Sequence, residues 1–210
     1  MPDERAKKIK LMLFDVDGVM TDATLFFFPA PGGGAGRGTH QDRERMADAG
    51  GFGIASHDVI EAKGFSAHDG IGFSLARLGG LKTGIITKRI SETVALRARD
   101  LKVDIVYQGQ QDKAAAFYEI LEKTGLRAEE VCYVGDDIID LPVMRICGLA
   151  IAVKNSRDEV IREAHYVTPH EGGKGAVRDA IEYVLREQGQ LQRVIDEYTG
   201  FRNPAPVTKT

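Results

Sequence analysis

The apolar run Leu11-Met12-Leu13-Phe14 ends abruptly in Asp15-Val16-Asp17-Gly18, and this stretch constrains the fold more than any other. A strand without polar alternation is buried on both faces, so it needs one layer of structure above it and another below. Gly18 lets the chain turn away directly after the acids. In an open α/β sheet, ligands bind outside the carboxyl ends of the strands. Two carboxylates at such an end are costly to bury unless a cation or a chemical task holds them there.

Downstream, apolar runs alternate with amphipathic segments. Residues 83–87, 105–107, 131–134, 149–153 and 166–168 read as strands. Residues 71–78, 91–98, 112–123, 138–146, 159–163 and 176–186 read as helices, with another over 191–198 after a break at Gly189. Ser91 is placed as an N-cap, and Gly79-Gly80 and Gly125 as helix stops. The alternation predicts an α/β fold, a doubly wound parallel sheet with helices on both faces. Residues 24–28 and 58–65 read as the arms of a β-hairpin standing over the sheet edge as a flap. Between them, residues 29–53 hold Pro-Ala-Pro, Gly-Gly-Gly and several charges; they read as a loose tip loop. The expected organisation is a single domain over 1–199, with the flap over 22–66 and a disordered tail over 200–210.

The totals exclude several classes. A chain of 210 residues suffices for one well-buried domain. A net charge of -3 gives no sign of a nucleic-acid or anionic-membrane partner. No apolar run approaches a membrane span, and the charged start Met1-Pro2-Asp3-Glu4-Arg5 does not read as a signal peptide. The expectation is a cytoplasmic protein. Cys132 and Cys147 lie in apolar elements without ligand spacing and read as buried reduced thiols. His40, His57, His165 and His170 carry no ligand spacing either.

The strand ends carry the chemistry. The first gives Asp15 and Asp17. The next gives Thr87, with Lys88 and Arg89 after it. Gln108-Gly109-Gln110-Gln111-Asp112 leads to Lys113 at a helix start, and a further strand ends in Gly135-Asp136-Asp137-Ile138-Ile139-Asp140. Hard oxygen ligands with room for phosphate suit Mg²⁺. Asp15 and Asp136 would bind the ion directly, with the Asp17 backbone carbonyl as a third ligand, and Asp137 or Asp140 would hold its waters. Asp15 reads as a nucleophile toward phosphorus, and Asp17 as the acid and then the base. Thr87 would donate to phosphoryl oxygens, and Lys113 would pair with Asp15 and the phosphate.

Asp-Val-Asp-Gly-Val, the strand ending in Thr87, Lys113 and Gly-Asp-Asp-x-x-Asp resemble, in order, the four motifs of the haloacid dehalogenase superfamily. Residues 15–21, 68–72, 106–109, 133–137 and 172–178 resemble the 3-deoxy-D-manno-octulosonate 8-phosphate phosphatase family more closely. The resemblance spans residues 9–188, apart from 29–53. It implies a Rossmann-like core with a hairpin flap and no large cap domain, Mg²⁺ as cofactor, a sugar-acid phosphate substrate, and a homotetramer whose flaps and C-terminal segments help close neighbouring sites. Three departures stand out: His68 where many relatives carry Arg, Lys88 where Gly is usual, and the long insertion at the flap tip.

Substrate contacts are assigned to His68, Arg89, Lys174 and Arg178. Arg89 reads either as a carboxylate ligand or as a surface charge, and Lys174 and Arg178 either as an anion site beside a helix N-terminus or as surface charges. The run Phe26-Phe27-Phe28 favours a subunit contact. Two alternatives accompany the leading reading: a phosphatase for a nine-carbon sialic-type acid 9-phosphate, and a receiver-type signalling module in which the phospho-aspartate is the output. A second carboxylate two residues after the nucleophile argues against the module, because it would hasten loss of the phosphoryl group.

Overall fold

A computed structural model describes residues 3–29 and 59–200. Expectations for residues 30–58 and 201–210, including most of the tip loop, His40, His57 and the tail, lie outside the described residues. In chain order the strands are β1 (Leu11–Phe14), β2 (Phe26–Pro29), β3 (Val59–Ala62), β4 (Lys82–Ile86), β5 (Ile105–Tyr107), β6 (Val131–Gly135), β7 (Leu149–Ala152) and β8 (Tyr166–Val167). The helices are α1 (Ala67–Leu78), α2 (Glu92–Leu101), α3 (Lys113–Thr124), α4 (Leu141–Met144), α5 (Asp158–Glu163), α6 (Ala176–Glu187) and α7 (Leu191–Thr199).

Six strands form one parallel sheet in the order β5-β4-β1-β6-β7-β8. All four residues of β1 are buried, and they face opposite ways in turn. Met12 and Phe14 join a core with Phe73 of α1 and Ile181 and Val184 of α6. Leu11 and Leu13 join a second core with Phe117 and Ile120 of α3 and Val160 of α5. The chain winds outward from β1 to β4 and β5, then returns to lay β6, β7 and β8 on the other side. The strand order thus reverses beside β1, and a crevice opens there at the carboxyl ends.

Two local readings change. The helix read over 71–78 begins four residues earlier, at Ala67, so residues 67–70 form the first turn of α1. The Ser66 hydroxyl caps it, accepting the His68 N–H at 3.2 Å. Gly72 has a packing reason to lie in this helix: a Cβ there would sit 3.0 Å from the Arg178 Cα of α6. The helix expected over 138–146 is instead a 3₁₀ turn, Ile138–Asp140, followed by the single turn of α4. Asp140 explains the change, because its carboxylate accepts backbone N–H groups from the strand end and fixes a tight turn.

The flap hairpin pairs β2 with β3 antiparallel, with Phe27 opposite Glu61. Phe26, Phe27 and Phe28 are 49%, 44% and 52% exposed, so the ribbon offers apolar surface. Cys132 and Cys147 are buried and free. Among the described residues, no helix is long and apolar enough to cross a membrane.

Candidate active site

The β1 turn is built for close approach. Met20 and Thr21 both donate their N–H groups to the Val16 carbonyl, at 2.9 and 3.0 Å. Gly18 has a φ of +97°, and a Cβ there would collide with the Asp136 carboxylate. The turn therefore lies hard against the end of β6, bringing Asp15 and Asp136 together.

Asp15 is buried, and its Oδ1 lies 2.9 Å from Lys113 Nζ. Asp112 caps α3, its Oδ1 accepting the Ala115 N–H at 3.0 Å, which sets Lys113 in the first turn of the helix. Lys113 Nζ also lies 2.7 Å from Asp140 Oδ1 and 3.3 Å from the Tyr133 hydroxyl. That hydroxyl donates to Asp140 Oδ1 at 2.7 Å. Asp140 Oδ2 accepts the N–H groups of Asp136 and Asp137 at 2.9 and 3.2 Å. Asp140 is fully buried and joins α3 to the β6 loop.

One oxygen from each of Asp15, Asp136 and Asp140 lies within 4.8 Å of the others. Asp140 is already occupied by Lys113, Tyr133 and backbone N–H groups, so it acts as a strut. Asp136 Oδ1 is buried with no hydrogen-bond partner among the described residues. Burial pushes the Asp15 carboxyl up to about 7, with Lys113 pulling the other way. Burial, together with Asp15 and Asp140, pushes Asp136 up to about 8. Burial alone would lower Lys113, but Asp15 and Asp140 outweigh it and hold the ammonium above its ordinary value. The cluster is thus short of positive charge around hard oxygen donors. A small divalent cation fits between Asp15 and Asp136.

Asp17 faces another way. Its carboxylate is ion-paired with Lys63 and lies 3.2 Å from Arg89 Nε. Asp15, Asp17, Thr87, Lys88, Arg89, Asp136 and Asp137 line one cleft of about 380 Å³, closed on its apolar side by Ala23, Leu25 and Ile139. A larger hollow of about 660 Å³ lies at the opposite end of the strands, around Lys10, Gly80 and Gln188. It is an open surface whose Lys7, Lys10 and Arg127 are paired with Glu4, Glu130 and Glu129, and it is remote from the acids.

Of the four residues assigned to substrate contact, Arg89 lines the cleft; His68, Lys174 and Arg178 do not. His68 is exposed on the first turn of α1. Lys174 pairs with Glu171 at 2.7 Å, and Arg178 with Glu182 at 2.7 Å. The Arg178 N–H is taken by the buried Asp69, which supplies the cap that Gly175 cannot give to α6. Gly173 donates to the Val19 carbonyl at 3.1 Å, so this glycine-rich segment braces the β1 turn.

Three residues at the site escaped the sequence reading. Tyr133 is hidden inside an apolar strand. Lys63 follows β3 without any motif. Asn155 could have been found by extending the strand-end reading to β7: its side chain donates to the Gly18 carbonyl at 3.1 Å and accepts the Gly172 N–H at 2.6 Å.

Residues 85–181 match the family described as haloacid dehalogenase-like hydrolase. The 3-deoxy-D-manno-octulosonate 8-phosphate phosphatase KdsC of Escherichia coli K12 is 35% identical over 187 residues, 89% of this chain and 85% of that protein. The corresponding Yersinia pestis protein is 34% identical over 189 residues, 90% of this chain and 86% of that one. The structure of 3-deoxy-D-manno-octulosonate 8-phosphate phosphatase from Moraxella catarrhalis, in complex with a magnesium ion, a phosphate ion and a KDO molecule, is 30% identical. It superposes with a TM-score of 0.76, covering 93% of this chain and 96% of that one. With the switch-point acids in place on a doubly wound sheet, the chain belongs to the 3-deoxy-D-manno-octulosonate 8-phosphate phosphatase family of haloacid dehalogenase-like hydrolases.

Proposed function

We propose that this phosphatase hydrolyses 3-deoxy-D-manno-octulosonate 8-phosphate through an aspartyl-phosphate on Asp15, with Mg²⁺ held by Asp15, Asp136 and the Asp17 backbone carbonyl. The observation that carries the reading is the pairing of a buried Asp15 with Lys113 beside an unpartnered Asp136 oxygen. Asp15 attacks phosphorus, and the bond to the leaving alcohol oxygen breaks. Asp17, which enters this step as the neutral acid, gives that oxygen its proton and becomes a carboxylate. Water then attacks the aspartyl-phosphate and passes a proton to Asp17; phosphate leaves, and both carboxyl groups return to their starting states. Mg²⁺, when bound, neutralises phosphate charge that would repel a carboxylate nucleophile.

Lys113 offsets negative charge on Asp15 and the phosphoryl group, Thr87 donates to phosphoryl oxygens, and Asp140 and Asp137 order the metal side of the cleft. The cleft of about 380 Å³ has room for a sugar-acid phosphate, and Arg89 at its rim offers a planar cation for the substrate carboxylate. His68, Lys174 and Arg178 do not line the cleft, and the role proposed for them is to bind substrate at a boundary between copies. The exposed Phe26, Phe27 and Phe28 give such a boundary an apolar surface, in keeping with a homotetramer.

A phosphate-release screen with Mg²⁺ over eight- and nine-carbon sugar-acid phosphates tests the substrate. The highest kcat/KM is expected for the eight-carbon acid. A preference for the nine-carbon 9-phosphate would overturn the substrate and leave the chemistry standing.

A further inference from the structure

We infer that Lys63, at the base of the flap, is a positioning residue for Asp17 and makes the flap part of the proton-transfer machinery. The inference rests on the reading of Asp17 as the acid and base. The Lys63 side chain is buried and ion-paired with Asp17, and its ammonium lies 3.8 Å from Glu61 Oε1. A buried ammonium needs such partners, because burying its charge without them is costly.

Glu61, the second partner of Lys63, is itself anchored. Glu61 lies on β3, and its Oε1 accepts the Ser91 hydroxyl at 2.6 Å. The Glu61 carbonyl accepts the Thr93 hydroxyl at 3.2 Å. Ser91 is the N-cap of α2, four residues after Thr87 in the same loop that carries Arg89. The hairpin is therefore tied to the loop that lines the cleft, and it delivers its cation from there.

Asp17 is consequently held between two cations from different elements, Lys63 from the flap and Arg89 from the β4 loop. When Asp17 gives its proton to the departing alcohol oxygen, its carboxylate gains negative charge. A fixed ammonium against that carboxylate stabilises the developing charge and keeps the group aimed into the cleft. Lys63 thus acts through Asp17.

The test compares two leaving groups. An alkyl phosphate without a carboxylate, such as an aldose phosphate, needs its leaving oxygen protonated; p-nitrophenyl phosphate does not. kcat/KM covers the steps through alcohol departure, so it reports this difference. Lys63→Met is expected to lose at least about tenfold more kcat/KM on the alkyl than on the aryl substrate. Lys63→Arg should recover part of that loss. Asp17→Asn should show the same bias more strongly, and adding Lys63→Met to Asp17→Asn should not increase it. A first-turnover burst of nitrophenol, which needs no proton from Asp17, and a cooperative melting transition report that each variant is folded.

Equal losses of Lys63→Met on both substrates would overturn the inference, since they would put Lys63 on the phosphoryl group itself. So would wild-type behaviour on both. If Asp17→Asn shows no bias, the reading of Asp17 fails first. If Asp17→Asn is biased and Lys63→Met is not, only the role of Lys63 fails.

Discussion

Asp15 and Asp17 stand two residues apart, yet their surroundings are built from different materials. Asp15 is held by Lys113 of α3, which is in turn held by Asp140 and Tyr133 of the β6 region. Tyr133 lies in the sheet, Lys113 lies on a helix packed against it, and Asp140 is tied to the end of β6 by two backbone N–H groups. Asp17 is held by Lys63 from the flap and by Arg89 from a loop. The hairpin behind Lys63 is two strands with exposed phenylalanines on it. A nucleophile gains from a fixed attack geometry. In the proposed mechanism Asp17 passes a proton to a leaving oxygen and takes one from water, and it gains from cations anchored against it on the flap and the β4 loop.

The contrast can be broken from the sheet side first. In the proposed mechanism, Asp15→Asn should lower phosphate release on the order of 10⁴-fold or more. Its melting temperature should hold or rise, because a buried carboxylate short of positive charge is removed. A variant that stays active would end the proposed division of labour. Asp140→Ala should act on stability as well as activity. It leaves Lys113 with one carboxylate fewer and strips two backbone N–H groups of their acceptor, a loss of about 3–5 kcal/mol in denaturant unfolding. Lys63→Met, on the flap side, should cost far less stability.

A third effect is linked to pH. The folded-state acids Asp15 and Asp136 stand at about 7 and about 8, above the ordinary carboxylate value of 3.8. A raised folded value means a stabilising contribution that is full below the unfolded pKa and lost as pH rises through the folded one. Metal-free protein should lose this contribution between about pH 4 and about pH 8. A bound cation takes the place of the protons, so the gain in melting temperature on adding Mg²⁺ should grow from about pH 6 to about pH 8.5. Scanning calorimetry with and without Mg²⁺ measures it; a gain that shrinks as pH rises would contradict a site between these two acids. The smallest expected change is Tyr133→Phe. Asp140 Oδ1 keeps Lys113, so the loss is about 1 kcal/mol of stability, with a modest fall in kcat.

The parts legible in the sequence are those governed by strand ends. Asp15, Thr87 and Asp136 follow directly from where apolar runs stop, and Lys113 from its place at a helix start. The two-sided sheet follows from the unbroken apolar residues of β1. The start of α1 was less legible because Gly70 and Gly72 interrupt its apolar pattern; the close approach of Arg97 of α2 to Gly70 and of α6 to Gly72 explains them. The turn at Ile138–Asp140 escaped because a carboxylate that folds back on its own strand end leaves no periodic trace. Lys63 and Tyr133 were invisible for a related reason. Lys63 belongs to the site through Asp17, and Tyr133 through Lys113 and Asp140, and the spacing along the chain encodes none of these contacts.

The most direct test of the central claim is rapid-quench mass spectrometry of the wild-type protein during turnover of a sugar-acid phosphate with Mg²⁺. The expected result is one phosphoryl group on the peptide containing Asp15, appearing within a turnover and absent in Asp15→Asn. Turnover that proceeds with no phosphoryl group on that peptide, or with one on a different residue, would contradict it.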